Sequence, residues 1–146
     1  MMKLHKILSV VFLATSMIMT AQQKQNFKKL PPEATAFLAS NFKGVPIQEM
    51  KKEADGTTFK YKVQLTNGTI IEFNNRGRWK EIESKTASLP TTMLQPSVGT
   101  YLQKNYPNAK VTEIKKGIRF SFVEVNDAIM LQFDSEGNFY RIFEQN

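Results

Sequence analysis

The chain of 146 residues contains no cysteine and a single histidine, His5. His5 falls in a segment read below as a removable leader. What remains therefore lacks thiol nucleophiles, Ser-His and Cys-His pairs, and the usual ligands of zinc or copper. Carboxylates are the remaining candidates for chemistry. Glu81 and Glu83 lie two apart on an expected strand, share a face, and have the spacing of an acid/base pair. Glu83, however, ends the strand, and a solvated strand end accounts for both. Asp134-Ser-Glu-Gly137 has oxygen donors like the start of a calcium loop. Such a loop needs further spaced oxygens and a late bidentate glutamate, and Phe139 to Phe143 fills that stretch instead. Asn67-Gly68-Thr69 is a hairpin turn and not a phosphate cradle. Lys51-Lys52 and Lys115-Lys116 each follow an expected strand, where charge discourages sheet-to-sheet association. The residues thus predict a protein that is not an enzyme, with no metal and no cofactor.

The elements that would position any site begin after the N-terminus. Lys3 and Lys6 precede an uncharged apolar run, Ile7 to Met19, and then Thr20-Ala21. That run is shorter than the ~20 residues needed to span a bilayer and has the form of a secretory signal peptide over residues 1–21. Cleavage there removes Lys3 and Lys6, leaving 18 basic against 13 acidic residues, a formal charge of +5. The expected location is periplasmic or secreted, with no stable membrane anchor after cleavage. Nucleic acid is not an expected partner for an exported chain. Mild basicity would suit an acidic polymer, anionic lipid or acidic protein. Residues 22–29 are polar and read as a flexible arm. Without disulfides, the fold must be held by core packing alone.

From Leu30 a pattern recurs. Leu30, Pro32, Phe37, Leu38, Asn41 and Phe42 align with Leu94, Pro96, Tyr101, Leu102, Asn105 and Tyr106 at an offset of 64. Phe73-Asn-Asn-Arg-Gly77-Arg-Trp79 aligns with Phe133-Asp-Ser-Glu-Gly137-Asn-Phe139 at an offset of 60. Ordered matches of this kind read as a tandem repeat. Each unit opens on a short helix, with proline in its first turn and an apolar stripe at helical spacing. The stripes are Ala34, Phe37, Leu38 and Phe42, then Val98, Tyr101, Leu102 and Tyr106.

Strands are expected at Val45–Lys52, at a run with period two through Phe59, Tyr61, Val63 and Leu65, at Thr69–Phe73 and at Arg78–Glu83. The second unit repeats them at Val111–Lys115, Ile118–Val125, Ile129–Phe133 and Asn138–Phe143. The expectation is an α+β fold made of two side-by-side repeats, each one helix packed on a four-stranded antiparallel meander. Repeat 1 spans residues 30–83, a linker 84–91, and repeat 2 residues 92–146.

Asn74-Asn-Arg-Gly77 and Asp134-Ser-Glu-Gly137 have the form of type I turns closed by a left-handed glycine and a bulge. That geometry sends Phe73 and Trp79 to one face, with Trp79 in the core under the helix beside Phe37, Leu38, Tyr61 and Val63. The opposite, open face is then assigned Lys60, Lys62, Glu72 and Lys80 from the first unit. From the second it is assigned Val123, Val125, Met130, Tyr140 and Ile142. An apolar half beside a basic half has the character of a partner-binding surface.

The leader, the two Leu-Pro and Leu-Gln-Pro helix starts, and the blocks Glu72–Trp79 and Gln132–Phe139 resemble the PepSY-like family, also described as beta-lactamase-inhibitor-like. The resemblance covers nearly the whole chain after the leader. It implies an exported domain of two helix-plus-sheet repeats and brings no catalytic residues with it. The function expected is a non-catalytic binding module, an inhibitor or regulator of an envelope or extracellular protein. The alternative is a periplasmic carrier of a small ligand or envelope polymer, which would need an enclosed cavity with a few convergent polar groups.

Overall fold

The computed structural model describes residues 30–143; the expected leader and arm lie outside the described residues. Helix α1 (Pro32–Asn41) leads into strands β1 (Ile47–Asp55), β2 (Thr58–Leu65), β3 (Ile70–Asn74) and β4 (Trp79–Glu83). After a short 3₁₀ turn at Thr91–Met93 come helix α2 (Pro96–Asn105) and strands β5 (Val111–Lys116), β6 (Ser121–Val125), β7 (Ile129–Phe133) and β8 (Phe139–Phe143). The eight strands form one antiparallel sheet in sequence order. The α+β class is as expected. The halves, however, share a single sheet, because β4 pairs with β5 through Glu81–Lys115, Ile82–Ile114 and Glu83–Glu113.

Register fixes the faces, because directly paired residues on neighbouring strands point the same way. One row runs through all eight strands: Met50, Val63, Ile71, Ile82, Ile114, Val123, Leu131 and Ile142. Every member is apolar. The six from Val63 to Leu131 are buried in a core cluster that also takes in Ala34, Phe42, Val98 and Leu102 from the helices or their ends. Phe73 and Phe133 lie two residues beyond this row, on the same face. Phe37 of α1 meets Phe73 edge-on at 5.8 Å, and Tyr101 of α2 meets Phe133 edge-on at 5.4 Å. Both helices therefore cover one face of the sheet and leave the other open.

The bulged turns form as the sequence predicts. Gly77 has φ +87° and Gly137 φ +81°. Asn74 Oδ1 accepts from the N–H groups of Arg76 and Arg78, and Asp134 Oδ1 from those of Glu136 and Asn138. Register shifts at Glu72/Phe73 and Gln132/Phe133 put Phe73 opposite Trp79 and Phe133 opposite Phe139. Each turn docks on the first turn of its helix. Arg78 pairs with Glu33 at 3.6 Å, and Ser97 and Gln95 donate to the carbonyls of Glu136 and Ser135.

Three expectations need correction. Trp79 does face α1, 5.8 Å from Phe37, but it is half-buried at the core's rim with Lys116 Nζ 3.6 Å above its ring. Ile118 is not in a strand; it tops the β5–β6 hairpin, 99% exposed. The first strand runs on to Asp55, three residues past the expected Lys52, because its charged residues keep pairing with β2 up to the Asp55–Thr58 pair.

Candidate protein-binding surface

Two rows cross the open face. The first reads Lys51, Lys62, Glu72, Glu81, Lys115, Phe122, Gln132, Arg141. The second reads Glu49, Gln64, Ile70, Glu83, Glu113, Glu124, Met130, Phe143. The face thus changes character along its length: mixed charge over β1–β3, carboxylates over β3–β6, and aromatic and apolar groups over β6–β8.

This corrects three of the assigned site residues. Val123 and Val125 lie on the helix-covered face, fully buried, because Val123 pairs with Leu131 and Ile114 of the core row. Ile142 pairs with Leu131 and joins the same face, though at the sheet's edge it is 52% exposed. Lys60, Lys62 and Met130 are on the open side, and Lys80 and Tyr140 are the exposed bulge residues of β4 and β8. Two of these lysines are paired with carboxylates of the same face. Lys60 Nζ lies 2.8 Å from Glu72 Oε2 and 3.9 Å from Glu53, and Lys62 Nζ lies 3.8 Å from Glu72 Oε1. The hydrogen bond to Glu72 is the main cause holding the Lys60 ammonium above its ordinary pKa.

The residues that build the apolar end are mostly ones the sequence reading missed: Phe120, Phe122, Arg141 and Phe143. Phe122 meets Phe143 edge-on at 5.4 Å, and Phe120 meets Tyr140 at 5.2 Å. The Arg141 guanidinium lies 5.7 Å from the Tyr140 ring centroid and 5.8 Å from that of Phe143. Its Nε donates to Gln132 Oε1 at 2.9 Å. Under this cover Met130 and Gln132 are buried on a face that no helix of the described residues shields. Tyr140 stays 58% exposed and Phe143 37%.

Among the described residues strand β8 also has one unpaired edge, since the sheet ends there. The opposite edge strand, β1, carries Lys51, Lys52, Glu49 and Glu53 and a register irregularity at Ile47/Glu49, which discourage strand addition. Strand β8, Phe-Tyr-Arg-Ile-Phe, carries a single charge, Arg141, and a bulge at Tyr140, and is otherwise apolar.

The carboxylates at the centre are the electrostatic feature of the face. Glu83, Glu113 and Glu124 are successive direct neighbours on β4, β5 and β6. Burial, with Glu81 and Glu124 adding to it, pushes the Glu113 carboxyl up to about 7. A carboxyl whose folded pKa is raised stabilises the fold at low pH, and that stability is lost as pH rises through the folded value. Glu113→Gln is therefore expected to leave the unfolding midpoint in urea unchanged at pH 4.5 and to raise stability by about 1 kcal/mol at pH 8, after allowance for solvent screening. A variant less stable than the parent at pH 8 would contradict this arrangement.

The Asp134 carboxylate is taken up by its turn. Oδ1 accepts the two backbone N–H groups and Oδ2 accepts the Asn138 amide at 3.1 Å. The Asn138 N–H is the main cause holding this carboxyl below its ordinary pKa. On the helix side, a surface cleft of about 610 Å3 lies between α2 and the segment before it, lined by Ser88, Thr91, Leu102 and Tyr106 among others. Among the described residues no group of three or more His, Cys, Asp or Glu is arranged to hold a metal ion. No helix among them is long and apolar enough to cross a membrane.

The family model described as "Putative beta-lactamase-inhibitor-like, PepSY-like" matches residues 59–141. None of the curated proteins matches the chain. Two solved structures are similar over most of its length. One is a "putative calcium-regulated periplasmic protein" from Bacteroides thetaiotaomicron, 29% identical, with a TM-score of 0.75 over 80% of this chain and 92% of that one. The other is a "putative periplasmic protein of unknown function" from Bacteroides vulgatus, 27% identical, with a TM-score of 0.78 over 82% of this chain and 96% of that one.

Proposed function

The chain belongs to the beta-lactamase-inhibitor-like, PepSY-like family, and from that premise we propose that it is a periplasmic, non-catalytic protein-binding module that engages an envelope protein through the open face of β6–β8. The apolar run behind Lys3 and Lys6 supports export, and the similar Bacteroides structures are described as periplasmic. We read the two helix-plus-four-strand units, residues 30–83 and 92–146, as copies of one ancestral repeat whose second open face has become apolar. The single observation that carries the binding reading is the Phe120–Tyr140–Arg141–Phe143–Phe122 cluster, which no other described residue covers, beside a strand edge that no described strand pairs with. Tyrosine, phenylalanine and arginine are the residues enriched in interface cores. An open strand edge adds backbone donors and acceptors for an extended segment.

The test is capture of envelope protein by the mature chain and by its Tyr140→Ala/Phe143→Ser variant. Retention of a specific partner is expected to fall at least ~10-fold in the variant, as loss of two interface anchors would produce. Undiminished retention by a folded variant would refute the reading. A carrier would instead use the cleft beside α2, and ligand-dependent protection there with the β8 variant unaffected would favour it.

A further inference from the structure

We propose that the partner meets this face with a segment carrying both apolar and cationic side chains, the apolar ones seated on Tyr140 and Phe143 and a lysine or arginine over Glu113 and Glu124. The proposal rests on the reading that β6–β8 is the binding face and specifies the chemistry of its occupant. Along one row the sequence is Glu83, Glu113, Glu124, Met130, Phe143, so the carboxylates run directly into the apolar groups. Neighbouring strands are ~4.8 Å apart, so one extended segment laid across the sheet spans both regions.

The remaining carboxylates of the face are each answered. Glu81 pairs with Lys115 at 3.0 Å, Glu83 with Lys85 at 3.5 Å, and Glu72 with Lys60 and Lys62. Among the described residues, no lysine or arginine lies within ion-pair distance of Glu113 or Glu124. Glu124 has only a hydroxyl donor, Thr112 Oγ1 at 2.9 Å. Like charges directly opposite on adjacent strands are unfavourable, and a cation arriving from solution relieves that repulsion. The Glu113 carboxyl pKa is raised first by burial, with the charges of Glu81 and Glu124 and a side-chain hydrogen bond to Glu81 adding to it and Lys115 opposing it. A chain that is basic overall thus offers a partner an acidic stripe bordered by aromatics. That arrangement repels an anionic membrane and favours a basic segment of a protein.

The experiment uses mature protein and two probes of equal length, one an alternating Lys-Phe peptide and the other its Glu-Phe counterpart. The Lys-Phe peptide is expected to bind at least ~10-fold tighter than the Glu-Phe peptide at low salt, with the difference shrinking as salt rises. Glu113→Gln/Glu124→Gln should erase that preference while keeping the fold, checked by thermal unfolding. Tyr140→Ala/Phe143→Ser should weaken both peptides. Equal binding of the two peptides, or an unchanged preference in the double glutamine variant, overturns the cationic occupant. If the tyrosine–phenylalanine variant still loses binding in that case, the face itself stands. If that variant binds both peptides normally, the face is wrong, and this inference fails with it.

Discussion

Phe133→Ala is expected to cost about 3–5 kcal/mol of unfolding free energy, read by urea denaturation of the mature chain. The side chain is fully buried. It sits under α2, meeting Tyr101 edge-on at 5.4 Å and Phe139 at 6.0 Å, with Tyr101 stacked on Phe139 at 4.6 Å. Truncation leaves a cavity bounded by two rings and the bulged turn, none of which can collapse without pulling α2 off the sheet. With no cysteine anywhere in the chain, nothing covalent compensates. Domains of this size hold about 5–15 kcal/mol in total, so a large share is lost. Phe143→Ser, on the open face, should cost well under half as much, because that ring is already 37% exposed. A Phe133→Ala loss below about 1 kcal/mol would contradict the assignment of faces on which the binding surface depends.

Gly77→Ala is expected to be the most damaging of the loop glycine-to-alanine changes in the first half, at about 2 kcal/mol or more. Gly77 has φ +87°, where a side chain is strained. The added Cβ would also stand 2.7 Å from Pro31 Cβ and 2.9 Å from the backbone nitrogen of Ala34. Neither neighbour can yield: one is a proline ring carbon, the other the backbone of α1's first turn. Gly44 supplies the internal control. Its φ is +76°, yet nothing lies within 4 Å of the added atom. Gly44→Ala should therefore show the conformational cost alone, about 1 kcal/mol. Equal losses at the two glycines would show that the turn does not bear on the helix.

What the sequence made legible follows from where pattern and geometry coincide. Phe59 to Leu65 alternates strictly, so the face of β2 could be assigned without a structure. Asn74-Asn-Arg-Gly77 and Asp134-Ser-Glu-Gly137 carry their turn type in their residues, and the bulge then placed Phe73 and Trp79 on one face. Prolines 32 and 96 marked the helix starts.

Strands β6 and β7 are different. Ser-Phe-Val-Glu-Val and Ile-Met-Leu-Gln-Phe are apolar on both faces, so alternation alone cannot choose between Phe122 and Val123 as the core residue. Extending the turn geometry across the second unit without its cross-strand register put Val123 and Val125 outside and left Phe122, Arg141 and Phe143 unassigned. The deciding signal is cross-strand. The chain reverses at Asn126 and Asp127, both with positive φ, pairing Val125 with Ile129 and hence Val123 with Leu131. Once Phe133 is in the core, so is Leu131, and Val123 must follow. The acidic row was equally hidden, since Glu83, Glu113 and Glu124 become neighbours only when β4 pairs with β5.

The central claim is that the uncovered face of β6–β8 binds a protein, and the most direct measurement is capture scored together with folding at both edges of the sheet. Mature chain, Tyr140→Ala/Phe143→Ser and a β1-edge control, Lys51→Glu/Lys52→Glu, would be immobilised in equal amounts against the same envelope fraction, with thermal unfolding recorded for each. The account predicts three folded proteins. Parent and β1-edge control should retain the same partner, and the β8 variant should retain it at least ~10-fold less. Equal retention by the folded β8 variant, or loss in the β1-edge control instead, would contradict it.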